Sequence, residues 1–114
     1  MTIRILLFTS ALVAGCASAP PVAQQEQSSA SIRAAEEVGA KQVPAASLYL
    51  QLAEEQFQAA QHEKGDKDRA SRLLSRSQAD AELALALARS ETERAQAQSA
   101  ITKVNQANAN SGAI

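Results

Sequence analysis

The chain has 114 residues, enough for one small domain, and its charges nearly balance, with 11 Lys and Arg against 12 Asp and Glu. The formal net charge is −1, and basic residues alternate with acidic ones along the chain. This pattern excludes the basic stripe or patch that is typical of nucleic-acid-binding proteins. Cys16 is the only cysteine, which also excludes a disulfide within the chain.

Residues 1–15 have the pattern of a bacterial signal peptide. One positive charge, Arg4, precedes an apolar core over residues 5–13, and two small residues follow that core. The apolar run is shorter than the roughly 20 residues that a transmembrane helix requires. We therefore expect residues 1–15 to be removed from the mature protein.

The end of this segment, Val13-Ala14-Gly15-Cys16, resembles the lipobox of bacterial lipoproteins. In those proteins the signal is cut just before the cysteine, whose thiol carries a diacylglyceryl group. The resemblance implies cleavage between Gly15 and Cys16 and a lipid anchor on Cys16, with each buried CH₂ contributing about 0.8 kcal/mol of membrane affinity. The alternative is an ordinary cleavage signal at Ala17-Ser18-Ala19.

The residues after Cys16 also bear on localisation. Lipoproteins with an aspartate directly after the cysteine stay in the inner membrane, and here that position is Ala17. The resemblance therefore implies anchoring in the outer membrane, facing the periplasm. Residues 16–30 are rich in Pro, Gln, Ser and Ala, which predicts a flexible tether that reaches up to about 50 Å from the membrane.

Residues 31–104 are drawn mainly from strong helix formers, without the β-branched runs that strands favour. The first predicted helix covers about residues 29–40, and Pro44 begins the second, because proline fits a first helical turn. The alternative is one helix that is kinked at Pro44. Gly65 suits a left-handed residue after the second helix, and Asp66 can cap the third.

The third helix, from about Lys67, carries apolar residues on two neighbouring stripes and therefore needs two helical neighbours. We predict an all-α fold, an alanine-rich helical hairpin or three-helix bundle with a long third helix. Three oppositely charged pairs four residues apart also predict ion pairs on this helix: Asp68–Arg72, Arg76–Asp80 and Arg89–Glu93. The predicted core centres on Leu48, Leu52, Leu83 and Leu87, and residues 105–114 are expected to be a disordered tail.

Several short segments of this region form a pattern: Ala34-Ala35-Glu36, Val38-Gly39-Ala40, Pro44-Ala45, Leu52-Ala53, Gly65-Asp66, Ala70 and Ala79-Asp80-Ala81-Glu82-Leu83-Ala84. Together they resemble the bacterial lipoprotein domain of unknown function 4398. The resemblance covers roughly residues 31–94 and implies an envelope lipoprotein.

The titratable residues predict no catalytic or metal site. His62 falls in the last turn of a helix, and Asp66 and Asp68 suit the start of the next one. Asp80 and Glu82 are two residues apart on a helix and point to different sides, so they cannot act as a facing acid–base pair. We expect no enzyme activity, cofactor, metal or small-molecule substrate.

Two functions remain open from the sequence. The first is a membrane-anchored helical spacer, or a module that self-associates into a homo-oligomer, in the cell envelope. The second is an adaptor that binds a periplasmic protein through an exposed helix face. The candidate contact residues for a partner are Ile101 and Val104, in the unpaired stretch late in the third helix, or alternatively Tyr49 and Phe57 on the second helix.

Overall fold

The structure is a computed structural model that describes residues 21–112, and this part of the chain is all-α. The three helices are α1 (Pro21–Glu37), α2 (Pro44–His62) and α3 (Lys67–Ser111). A short 3₁₀ turn, Ala40–Gln42, precedes α2. The predicted all-α fold with a long third helix is confirmed, whereas the predicted signal peptide, residues 1–15, and Cys16 lie outside the described residues.

The α1–α2 connection follows from three residues. Gly39 has a φ of 83°, in the left-handed region that only glycine adopts without strain, so α1 cannot continue through it. Val43 is extended, with φ −102° and ψ 113°, as expected for a residue before proline. Pro44 then occupies the first turn of α2, where no backbone N–H is needed. Two separate helices are therefore present rather than one kinked helix.

The α2–α3 connection is a tight turn at the predicted place. The Asp66 side chain accepts a hydrogen bond of 2.9 Å from the backbone N–H of Arg69, so the predicted helix cap is confirmed. The prediction of a left-handed Gly65 is wrong, because Gly39 is the glycine with a positive φ in the described chain. Glu63, in extended conformation, ends α2 instead.

Helix α1 begins earlier than predicted. The flexible tether that we expected through residue 30 is helical from Pro21 onwards, and α1 ends at Glu37. Proline is compatible with a first helical turn, and the following Gln, Glu and Ala residues favour helix. The first turns of α1 carry few apolar side chains. They pack against α3 because their polar side chains form hydrogen bonds to it.

The three helices form an up-down-up bundle in which α3 contacts both other helices more extensively than they contact each other. Gln24 of α1 lies beside Ser71 of α3, and Ser28 lies beside Ser77, so these two helices run parallel. The short turns on either side of α2 make it antiparallel to both. The two neighbours that the sequence requires for α3 are present.

The core consists mainly of alanine. The residues buried at this core are Ala35, Ala40, Ala46, Leu50, Ala84 and Ala88, and the buried positions of α3 follow alternating steps of three and four residues. Small residues at these positions let helix backbones approach closely.

The predicted leucine core is wrong for Leu48, which is 56% exposed, and for Leu83, which is 41% exposed. Leu52 is half-buried, and Leu87 is half-buried and packs against the alanine core. The reason is helical geometry: each residue advances by about 100°, so Leu83 lies about 160° around α3 from the fully buried Ala81. Of the two apolar stripes on α3, only one can lie between α1 and α2. The buried stripe is the alanine stripe, which contains Ala81, Ala84 and Ala88.

The second half of α3 extends beyond the bundle as a single helix. Every residue from 91 to 112 is exposed. The prediction of a disordered tail from residue 105 is wrong for residues 105–111, which continue α3 to Ser111.

None of the described helices combines the length with the hydropathy required to cross a bilayer.

Candidate functional site

The free end of α3 carries the largest exposed apolar side chains beyond the bundle. Ile101 is 54% exposed and Val104 is 58% exposed. The two residues are three positions apart, so their side chains share one face of the helix. Ala97 is one turn before Ile101 on the same face. This short apolar stripe has no intramolecular partner in the described chain.

The other two predicted contact residues are placed differently. Tyr49 is partly buried and packs against the alanine core. Phe57 is half-buried and lines a groove together with Val22 and Arg33 of α1. The structure therefore does not join Tyr49 and Phe57 to the stripe that Ile101 and Val104 form.

A chain of buried hydroxyl groups joins all three helices. The Ser28 hydroxyl donates to Ser77 Oγ at 2.6 Å, and the Ser77 hydroxyl donates to the backbone carbonyl of Ala53 at 2.7 Å. Both serines are fully buried. Because a buried hydroxyl is costly without a partner, these contacts hold the three helices in one register. The sequence signal for this cluster was only a serine within the apolar stripe of α3.

The candidate acid and base residues do not converge. His62 is exposed at the last position of α2, and Asp66 is occupied as the cap of α3. Asp80 accepts a hydrogen bond of 2.9 Å from Gln56 Nε2, and Glu82 accepts one of the same length from Gln78. Within residues 21–112, no three His, Cys, Asp or Glu side chains are grouped so as to hold a metal ion.

An ion pair between α1 and the 3₁₀ turn shifts the pKa of Lys41. The ion pair between Lys41 and Glu36 raises the pKa of Lys41, first through its hydrogen bond and then through the opposite charge. Because the lysine pKa is raised in the folded state, this pair stabilises the fold at neutral pH. Its contribution is lost only as the pH rises through that raised pKa.

The ion pairs in the described chain are not those that we expected along α3. Besides Lys41–Glu36, Arg69 Nε lies 3.4 Å from Glu63 Oε2. The expected pairs Asp68–Arg72, Arg76–Asp80 and Arg89–Glu93 are not formed. Asp80 faces Gln56 of α2 instead, which leaves Arg76 without its expected partner.

Three arginines therefore lie together on the outer face of α3, a cluster that was not predicted from the sequence. Arg69, Arg72 and Arg76 line one shallow groove together with Leu73. All three arginines are exposed, and their spacing of three and four residues places them on one side of the helix. This spacing is visible in the sequence, but there the neighbouring acidic residues suggested that their charges were neutralised.

Comparison with known proteins relates the chain to one family. The model of a family described as a domain of unknown function, DUF4398, matches residues 23–100. The match spans α1 from residue 23, all of α2, and α3 through Ala100, so it includes the start of the free helical end. No curated protein and no solved structure gives a significant match to the chain.

Proposed function

Since this chain belongs to the DUF4398 family, a domain of unknown function, we propose its role from the geometry of the bundle. The protein is a non-enzymatic lipoprotein of the bacterial cell envelope, anchored through Cys16 in the outer membrane and facing the periplasm. Its helical domain acts as a spacer that holds the free end of α3 away from the membrane. The observation that carries this proposal is the position of that free end relative to the start of α1.

The first support is the short distance between the proposed anchor and the bundle. Only residues 17–20 separate Cys16 from Pro21, the first residue of α1. Whatever their conformation, these residues cannot span more than about 18 Å. This limit is much shorter than the reach expected for a fourteen-residue tether, so the start of α1 stays close to the membrane surface.

The second support is the direction of α3. Because α3 runs parallel to α1, it starts beside the end of the bundle that is near the anchor and ends at Ser111 on the far side. Its 45 residues correspond to about 67 Å of helix. The exposed segment from residue 91 to residue 112 is consequently the part of the described chain most distant from the anchor.

A second candidate function, an adaptor for a periplasmic protein, is favoured by the exposed apolar pair Ile101 and Val104. Apolar residues at helical spacing suit a partner helix that packs against them. The spacer and the adaptor share the same anchor and the same bundle. They differ in whether the stripe on α3 contacts another copy of this chain or a different protein.

Replacement of Cys16 with Ser tests the anchor. We expect the Cys16→Ser protein to accumulate as an uncut, unacylated precursor, because the residue that receives the lipid is absent. Membrane fractionation and mass spectrometry of the N-terminus measure both effects. Replacement of Ser18 with Ala is the matched control and should leave processing unchanged. A Cys16→Ser protein that is still cut before residue 16 and still acylated would refute the anchor.

Crosslinking in intact cells separates the two functions. A photoreactive residue placed at Ala97 lies on the stripe, and one placed at Gln106 lies on another face of the same helix. Crosslinks from position 97 to a second copy of the chain support the self-associating spacer. One dominant crosslink from position 97 to a different protein supports the adaptor. Equal yields from positions 97 and 106 would exclude a specific role for the stripe.

A further inference from the structure

The arginine cluster on α3 has features of an anion-binding surface. Arg69, Arg72 and Arg76 line one groove on the outside of the bundle. Within the described chain, the carboxylate paired with this cluster is Glu63, at 3.4 Å from Arg69. Arg72 and Arg76 have no carboxylate oxygen within ion-pairing distance there. The planar guanidinium group can form two parallel hydrogen bonds to a phosphate group.

The cluster also lies at the end of the bundle that is nearest the proposed anchor. Lys67, the first residue of α3, lines the same groove as Pro21, the first residue of α1. Arg76 is nine residues further along α3, about 14 Å from Lys67. The cluster therefore begins level with Pro21, and Pro21 is held within about 18 Å of Cys16.

From this placement we propose that Arg69, Arg72 and Arg76 bind the phosphate groups of anionic lipids in the membrane that holds Cys16. The inference rests on the proposed lipid anchor and deepens it. The short link to Cys16 allows the cluster to reach the lipid headgroups, where electrostatic attraction acts over about 8 Å at physiological ionic strength. Contact would hold the first turns of α3 at the membrane surface.

Limited proteolysis of the acylated protein tests this binding, because trypsin cleaves after each of the three arginines. The full mature protein is reconstituted into vesicles of phosphatidylcholine, with or without about 30% phosphatidylglycerol. Cleavage after Arg72 and Arg76 is measured relative to cleavage after Lys103 on the free end of α3. We expect phosphatidylglycerol to slow this relative cleavage by about threefold or more, and about 0.5 M NaCl to remove the protection.

Paired variants show whether the cluster itself is responsible. In Arg72→Gln/Arg76→Gln, the lipid-dependent protection of the bond after Arg69 should disappear. The control Arg89→Gln/Arg94→Gln makes the same change of charge further along α3 and should retain the protection at Arg69. Loss of protection in both variants, or in neither, would overturn the assignment to this cluster.

Three further outcomes are informative. Equal relative cleavage in the two kinds of vesicle would overturn lipid binding while leaving the anchor intact. Equal protection by inorganic phosphate in phosphatidylcholine vesicles would indicate a site for free phosphate and would also overturn the lipid assignment. Failure of the protein to sediment with either kind of vesicle would refute the anchor, and with it the inference.

Discussion

Ser77 is the residue through which the three helices are connected by hydrogen bonds. Its hydroxyl accepts from Ser28 of α1 and donates to the carbonyl of Ala53 in α2. In a core made mostly of alanine, packing constrains the relative positions of the helices only weakly, since small side chains interlock little. A buried hydroxyl that must find its partner supplies a directional constraint. The two serines therefore provide specificity that alanine packing does not.

We predict that Ser77→Ala destabilises the bundle more than Ser28→Ala. Ser77→Ala removes the hydroxyl that accepts from Ser28 and leaves a buried donor without its partner, at a cost of about 1–3 kcal/mol. Ser28→Ala removes one hydrogen bond but leaves Ser77 bonded to Ala53, at a cost of about 1 kcal/mol. Urea-induced unfolding followed by circular dichroism measures both values.

The double variant Ser28→Ala/Ser77→Ala completes this test. It should lose less stability than the sum of the two single changes, because neither hydroxyl is then left unpaired. Ser75→Ala, at an exposed position of α3, reports the gain in helix propensity that every Ser-to-Ala change brings. Additive single effects, after correction by this control, would contradict the coupled pair.

At the scale of the helix, α2 shows which of its apolar residues form the core. Leu50 is 2% exposed and packs in the alanine core, whereas Leu48 is 56% exposed. We predict that Leu50→Ala lowers the free energy of unfolding by about 2–5 kcal/mol, through loss of buried surface and formation of a cavity. Leu48→Ala, the same change two residues away, should cost well under that.

Thermal and urea unfolding of these two variants is the measurement. Because the domain is small, the loss in Leu50→Ala is a large fraction of its total stability. The Leu50→Ala protein should therefore be partly unfolded at physiological temperature, while Leu48→Ala remains folded. Equal losses in the free energy of unfolding for the two substitutions would contradict the alanine core and support the core of leucines that was predicted from the sequence.

The three helices also show how much of the fold can be predicted from the sequence alone. The starts of α2 and α3 were predictable because Pro44 and Asp66 act locally, through a fixed φ and a side-chain cap. The start of α1 was not predictable, because its polar segment is ordered by contacts with Ser71 and Ser77, which are distant in sequence. Local rules predict where helices begin and end better than they predict polar tertiary contacts.

The buried face of α3 was misjudged for a different reason. Hydrophobicity favours Leu83 and Leu87, whereas the geometry of three packed helices selects the stripe that lies between both neighbours. That stripe has alanine or serine at most positions, and its regular steps of three and four residues were the better guide. For the candidate site, the exposure of Ile101 and Val104 agrees with the unpaired stretch inferred from sequence, but the arginine cluster required the structure.

At the scale of the whole molecule, the bundle and the free end of α3 are separate parts. Residues 91–112 are exposed throughout, so changes there should alter contacts with other molecules without affecting the core. A single isolated helix gains little from its own propensity, and its apolar residues favour association with another helix. This separation allows self-association to be tested without loss of the fold.

We predict that the double change Ile101→Glu/Val104→Glu abolishes self-association and leaves the bundle folded. The unlipidated chain over residues 16–114 with Cys16→Ser should have an unfolding midpoint that rises with protein concentration, because mass action stabilises a folded oligomer. In the double variant, negative charges replace the apolar contacts, and the midpoint should stay constant over a roughly hundredfold concentration range.

The matched control is Gln96→Glu/Gln106→Glu, which adds the same charge at two exposed positions of the free end that lie away from the stripe. If it retains the concentration dependence of the parent chain, the effect of Ile101→Glu/Val104→Glu belongs to the stripe rather than to net charge. A parent chain with a constant midpoint would instead exclude self-association through this helix. The stripe would then be left to the adaptor function, in which Ile101 and Val104 contact a different periplasmic protein.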